Sequence, residues 1–345
     1  MFSLMAYNGL SSRQDVLTQI SDVARAAGVS SSTVSRVLNR PNLVKEETKE
    51  KVYDAMQKVG YTPPLRKEAT RTYTIGLAVP DITIHFVGEL IRNLEQELEN
   101  TGYGLLLFNM KRERKVSRYF RESAAFKKKV DALIIFSASL DDECVEFFRA
   151  VNIPIVLLQS RCGREKSIST NNYLGASNAV QFLAASGYRE IGFIGWNPED
   201  DHINERFLGY KNTIEKAGVP FRPELTASGA LSIEGGYTAT RELFQRGRPE
   251  AVFYACDSLA FGGYRYFNER NIRIPEDVGV IGFDDLEFAS VLALTTMKQF
   301  IQRKARMAVS YLFDRLSGKI GEPLAEEICV TPTLVVRGST RNLQR

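Results

Sequence analysis

A small all-α head followed by a larger α/β core of two doubly wound parallel-sheet lobes is the fold this sequence predicts, and three observations carry it. Between Ile20 and Asn39, Val23, Ala24, Ala27, Val34, Val37 and Leu38 recur at helical spacing on the two sides of Gly28. From Tyr73 onward the texture changes to short apolar runs alternating with longer amphipathic stretches. At 345 residues the chain is too long for one core of ordinary size, so two or three domains are expected.

Taken in order, residues 1–17 show no periodicity and read as a flexible arm, within which a second methionine, Met5, leaves the start of translation open. The head is expected over 18–64. Its first two helices meet across Gly28, which supplies the left-handed conformation of a tight turn, with Ala24 small where the helices cross and Val29 burying the turn. Ser30 is placed to cap the second helix. The outer face then carries Ser31, Ser32, Ser35, Arg36 and Asn39, short hydrogen-bonding groups and one Arg suited to base edges and phosphates in a major groove. The plain alternative is a helical hairpin with a solvated polar face. A third helix follows, with Val52, Ala55, Met56 and Val59 on one face and a stop at Gly60.

The motifs Asp22-Val23-Ala24, Ala27 to Ser30, Thr33 to Asn39 and Gly60-Tyr61-Thr62-Pro63 make residues 20–64 resemble the head-piece of the lactose-repressor (LacI/GalR) family of bacterial transcription regulators. By that resemblance Ser30, Ser31, Ser32, Thr33, Ser35, Arg36 and Asn39 contact double-stranded operator DNA. The linker, 65–72, departs from the family: it is about three residues short, and its one leucine, Leu65, stands early for a minor-groove wedge. Leu65 is either a displaced wedge or part of a plain tether.

Seven strands are read from apolar runs: 75–79, 105–108, 132–136, 155–158, 191–195, 251–255 and 278–283, with helical patterns such as 87–102 and 175–187 between them. Landmarks at 75–82, 169–176, 187–195, 206–210, 255–262, 274–285 and 294–299 extend the resemblance to the family's periplasmic-binding-protein-like core. It implies an amino-lobe of 73–167 and 297–326, and a carboxy-lobe of 168–296 and 327–340, closing on a small effector. By the same resemblance cores pair side by side through the amino-lobe, and Leu90, Leu94 and Leu98 exceed what one sheet face must cover, so a homodimer is expected.

Charge is divided unevenly. Residues 1–72 carry 11 Lys and Arg against 7 Asp and Glu, and residues 73–345 carry 34 of each, so the whole net charge of +4 belongs to the head and linker. No apolar run approaches the ~20 residues that span a bilayer, and the first residues lack the basic start and apolar centre of a signal peptide. No membrane partner and a cytoplasmic location are therefore expected. Cys144, Cys162, Cys256 and Cys329 have no metal or redox spacing, and His85 and His202 have no partner at ligand spacing. Neither a P-loop, a dinucleotide fingerprint nor a nucleophile elbow is present, so no cofactor and no catalysis are expected, Asp284-Asp285 notwithstanding. The basic stretch from Lys111 to Lys129 alternates with aromatics and reads as a helix with a solvated face.

Within the core the family's effector-binding arginine and aspartate match Arg206 and Asp284, with Asp257 and Phe86 implied as cleft lining. Three positions depart: Gln159 stands where an acid is frequent, Cys256 where lactose-type sensors have Asn, and Leu231 where an aromatic stacks on a sugar. Asp200, Asp201 and His202 add acidity where purine-type sensors are basic. A sugar-derived polar effector is therefore expected rather than a hexose held by stacking or a nucleobase, Asp284 as a mere loop cap being the plain alternative. The function implied is an effector-controlled regulator, a repressor, of a carbohydrate or related catabolic operon. Its rival is a small-molecule binding protein with a degenerate head.

Overall fold

The computed structural model describes residues 20–39, 44–59, 71–111, 116–122, 129–138, 140–321 and 325–341. The arm, Leu65 and most of the 111–129 stretch therefore lie outside the described residues. Two compact units are present, residues 1–70 and 71–345.

The head unit contains α1 (Ile20–Ala27), α2 (Ser31–Asn39) and α3 (Glu46–Lys58). Gly28 takes φ +66° between the first two, and the Val29 amide closes α1 on the Ala24 carbonyl at 3.0 Å. Val23, Ala24, Val34, Val37, Val52 and Ala55 form one buried cluster, with Val29, Met56 and Val59 packed against it.

The core unit runs β1 (Thr74–Val79), α4 (His85–Leu98), β2 (Gly104–Asn109), α5 (Val116–Glu122), β3 (Ala132–Phe136), α6 (Asp142–Ala150), β4 (Ile155–Leu158) and β5 (Ser167–Thr170). It continues through α7 (Asn172–Ala185), β6 (Ile191–Ile194), α8 (Asp201–Lys216), β7 (Thr226–Ala227), α9 (Ile233–Arg246), β8 (Ala251–Tyr254), α10 (Asp257–Glu269) and β9 (Gly279–Asp284). It ends with α11 (Glu287–Val291), β10 (Thr295–Lys298), α12 (Ile301–Leu316), β11 (Glu327–Val330) and β12 (Thr333–Val335).

These strands make two six-stranded sheets, in the orders β11-β5-β4-β3-β1-β2 and β12-β10-β9-β8-β6-β7. The first is parallel throughout, and the second is parallel except where β12 runs against β10. Strand order reverses at β1/β3 in one sheet and β6/β8 in the other, the switch points beyond whose carboxyl ends ligands bind in such folds. All seven expected strands form. The remaining five are short or polar (SIST, TA, TTMK, EICV, TLV) and give no apolar run to read.

Sheet membership moves the lobe boundaries. Strands β5 and β11 pair with each other in the first sheet and β10 pairs with β9 in the second. The chain thus changes sheet after Thr170, Lys298 and Val330, slightly later than expected, because the connecting segments complete a strand before they cross. Leu90, Leu94 and Leu98 are also corrected: all three are buried inside the core unit, on a helix that packs against α12 as well as the sheet, so they are no surplus face for a partner.

Candidate functional site

In the head, Ser30 caps α2 as expected: its Oγ accepts from the Thr33 amide at 3.1 Å. The same oxygen shares hydrogen bonds with Ser32 Oγ (2.7 Å) and Thr33 Oγ1 (2.8 Å), so the first turn presents a linked group of hydroxyls. Ser30, Ser31, Ser32 and Arg36 are exposed, Thr33 and Ser35 are half-buried, and Val34 and Val37 face inward. The face is therefore polar, solvated and set on a helix anchored from behind. The side chain of Asn39 lies outside the described residues.

In the core, the carboxyl ends of strands converge on a buried polar cluster. Arg206, in α8, is 5% exposed; its Nε donates to Asn172 Oδ1 at 2.9 Å and its Nη1 to the Ala255 carbonyl at 2.5 Å. The guanidinium lies 3.8 Å from the centroid of Phe283 and 3.6 Å from Asp284 Oδ1. Asp284, at the end of β9, is equally buried and accepts from Gln299 Nε2. Burial pushes its carboxyl above the ordinary range, and Arg206 and Gln299 oppose that. Asp284 is thus held between a cation and an amide.

Gln159, after β4, ties the cluster to both lobes. Its Nε2 donates to Gln299 Oε1 (2.8 Å) and Thr170 Oγ1 (3.1 Å), and its Oε1 accepts from the Thr170 amide at 2.8 Å. Its carbonyl meets His202 Nε2 at 2.6 Å, while His202 Nδ1 faces Asn172 Nδ2 at 3.3 Å. Burial lowers the His202 pKa, and a neutral ring donating through Nε2 and accepting at Nδ1 satisfies both contacts. Phe86, in the first turn of α4, stacks on Phe136 with centroids 5.5 Å apart. Beside it lies a void of about 10 Å³ walled by Phe136, Leu158, Gln159 and Lys304, room for about one water.

Three expected positions fall outside this group. Asp257 is fully buried with both oxygens taken, Oδ1 by Thr296 Oγ1 (2.6 Å) and Oδ2 by the Leu286 amide (2.9 Å), so it braces the β9–α11 loop rather than lining the cleft. Its carboxyl is raised by burial and by the charge of Asp284. Cys256 sits at the amino end of α10 with its thiol pushed up by burial, a small neutral wall group. Leu231 is half-buried on the bend before α9 and does not wall the void. The acidity expected from Asp200 is spent on capping α8, where its carboxylate accepts from the His202 and Ile203 amides.

Backbone strain marks the same place. Ser137, Gln159, Asp284, Asp285 and Phe300 all have positive φ and all stand at or just after strand ends β3, β4, β9 and β10. Such conformations cost about 1–3 kcal/mol each and persist only where surroundings over-determine them, which is typical of ligand clamps. The sequence reading did not single out Lys304, Gln299, Thr170 and Asn172. Lys304 was discoverable: with Ile301, Ala305 and Ala308 on the apolar face of α12, it is a lysine at a core position.

A helix-turn-helix coupled in one chain to a two-lobed cleft places the protein in the class of effector-responsive transcription regulators. Comparison with known proteins narrows this to a family. Residues 19–64 match the model described as bacterial regulatory proteins, lacI family, and residues 180–340 match a periplasmic binding protein-like domain. The chain is 33% identical over 322 residues to the HTH-type transcriptional regulator RegA of Clostridium saccharobutylicum, covering 89% of this chain and 95% of that protein. A LacI family regulator from Enterococcus faecium with bound ribose superposes with a TM-score of 0.67 at 28% identity, covering 79% of this chain and all of that one. The lac repressor dimer bound to operator and the anti-inducer ONPF gives a TM-score of 0.67 at 25% identity, covering 94% and 99%. The chain belongs to the lacI family of bacterial regulatory proteins. Among the described residues, no helix is long and apolar enough to cross a membrane.

Proposed function

We propose that this protein is a cytoplasmic repressor of a carbohydrate-related operon, binding double-stranded operator DNA through α2 and releasing or gaining it when a polyhydroxylated effector enters the core cleft. The observation that carries the reading is the Arg206–Asp284 pair at the strand ends. A carboxylate accepts from vicinal hydroxyls, and an arginine donates to ring or hydroxyl oxygens, a donor and acceptor set made for a sugar-like ligand. Bound ribose in the enterococcal relative and operator DNA with the lac repressor dimer support the two halves of the reading. Gln159 and Phe86 complete the effector surroundings, and Ser31, Ser32 and Arg36 reach the bases and phosphates.

Arg206 and Asp284 are both buried, so a sugar reaches them when the lobes part. Contacts that bridge them, His202 to the Gln159 carbonyl and Arg92 to Glu287 at 2.8 Å, are then broken and remade. A homodimer on a two-half-site operator accounts for how a head of modest charge attains affinity. Phe288 (60% exposed) and Val291 (75%), adjacent on α11, offer the apolar surface for pairing that Leu90, Leu94 and Leu98 do not.

The test measures effector and operator binding by Asp284→Asn and Arg206→Ala. Loss of the effector response with operator affinity retained is the expected result, and an unchanged response in both variants refutes the site.

A further inference from the structure

Lys304 is 2% exposed, and its ammonium meets neutral groups: Thr170 Oγ1 at 2.7 Å, Gln299 Oε1 at 3.2 Å and the Phe86 ring at 5.6 Å. Among the described residues no carboxylate forms an ion pair with it. Asp284, the acid whose field reaches it, is engaged by Arg206 and Gln299. An ammonium so placed is poorly compensated, and desolvation, with repulsion from Arg206, pulls its pKa down to about 7. The same ammonium borders the void next to Phe86 and Gln159, on the opposite lobe from Arg206. A lysine serving only to fill space there is a poor choice, because a methionine fills it without burying charge.

Resting on the reading that a polyhydroxylated effector sits between Arg206 and Asp284, we propose that this effector is an acidic sugar whose anionic group is the missing counter-ion of Lys304. A further hydroxyl offers the ammonium no more than Thr170 already does, whereas a carboxylate or phosphate oxygen forms a charge-assisted hydrogen bond in a dry, apolar-walled site. Lys304 on α12 and Arg206 on α8 then hold one ligand from two lobes, and the anion draws the lobes together. Asp284 takes the hydroxyls, which sets the polarity of the bound sugar: its acid end toward α12, its hydroxyl end toward β9.

The full chain is titrated calorimetrically with galacturonate and gluconate, with galactose 6-phosphate and ribose 5-phosphate, and with galactose and ribose as neutral counterparts. Wild type is compared with Lys304→Met, and Lys304→Gln stands in if that variant does not fold. At least one acid is expected to bind more tightly than its neutral counterpart, and removing the ammonium is expected to weaken that acid about thirtyfold or more without weakening the neutral sugar. Binding confined to the sugar acids assigns the group as carboxylate, and binding confined to the sugar phosphates assigns it as phosphate; both uphold the proposal. Neutral sugars binding as tightly as the acids, or acid binding unaltered in the variant, overturns it and leaves the polyhydroxylated-effector reading standing. Binding of none of the six by the wild type overturns both.

Discussion

The outer face of α2 and the polar cluster of the cleft hold their hydrogen-bonding groups in opposite ways. On α2, Ser31, Ser32 and Arg36 are exposed, so folding removes none of them from water. In the cleft, Arg206, Asp284 and Lys304 are 2–5% exposed, among residues held at positive φ. The physical consequence is a separation of effects. Substitution of an exposed group changes binding and leaves stability nearly alone, whereas substitution of a buried charged group changes both, in a direction set by which charge remains.

The largest effect expected is an asymmetry within the Arg206–Asp284 pair. Arg206→Ala leaves a buried carboxylate with an amide alone, orphans the Asn172 and Ala255 acceptors and uncovers Phe283, so the core unit should lose about 3–5 kcal/mol. Asp284→Asn removes a charge whose ionisation burial already opposes and keeps an acceptor for Gln299, while the Arg206 it leaves unpaired is still held by Asn172, the Ala255 carbonyl and the Phe283 ring; its cost should be smaller, about 1–3 kcal/mol. Equal losses in denaturant unfolding would show that the pair is not desolvated as its burial implies.

Next in size is Lys304→Met, which should stabilise the core unit by about 1–4 kcal/mol at neutral pH. The ammonium titrates at 10.5 in the unfolded chain and at about 7 in the fold. A depressed lysine contributes stability that is present above the unfolded value and lost as pH falls through the folded one. The wild type should therefore gain on the variant as pH rises from 7 toward 10, with the Arg206, Asp284 and Cys329 groups that face Lys304 unchanged between the two. Unfolding curves for both proteins at pH 7 and pH 9 check the sign.

Legibility in the sequence followed the same division. The three head helices and seven of the sheet strands announce themselves because apolar period and glycine punctuation are local signals. Arg206 and Asp284 are singled out by motifs, RFLGY and VGVIGFDD, that each centre on a single element. Asp257, by contrast, sits in an equally recognisable motif but turns away from the cleft to accept from the Leu286 amide and the Thr296 hydroxyl, because which donors it meets depends on β9, β10 and the loop between them. Gln299, Thr170 and Lys304 come from segments where the chain crosses between sheets. Their proximity is a product of topology, with 129 residues separating Thr170 from Gln299 and 134 separating it from Lys304.

A smaller effect, confined to binding, is expected in the head. Arg36 is the long cation on the exposed face of α2, so Arg36→Ala should weaken operator binding by about 1–3 kcal/mol at fixed salt while the unfolding of both units stays within about 0.5 kcal/mol of wild type. Gel retardation across a salt series separates the two contributions: a base contact changes operator preference, and a phosphate contact reduces the salt slope. A fall in head stability comparable to the loss of affinity would erase the contrast with the cleft.

The smallest effect tests the boundary between the two regimes, because Ser30 is exposed and yet structural. Its Oγ accepts from the Thr33 amide and bridges the Ser32 and Thr33 hydroxyls, so Ser30→Ala removes one cap and frees two potential DNA contacts. A lost cap costs about 1 kcal/mol, whereas glycine at the same position costs only a few tenths. Stability of the head should thus rank Ser30 with Ser30→Asp, then Ser30→Gly, then Ser30→Ala, with hydrogen exchange in residues 20–58 accelerating in that order. Operator affinity should not follow the ranking, since Ser30→Asp restores the cap but sets a negative charge beside phosphate. If affinity and exchange move in step across all three variants, Ser30 acts on DNA solely by holding the first turn of α2. If Ser30→Asp keeps slow exchange and loses the operator, the hydroxyl cluster itself meets the DNA.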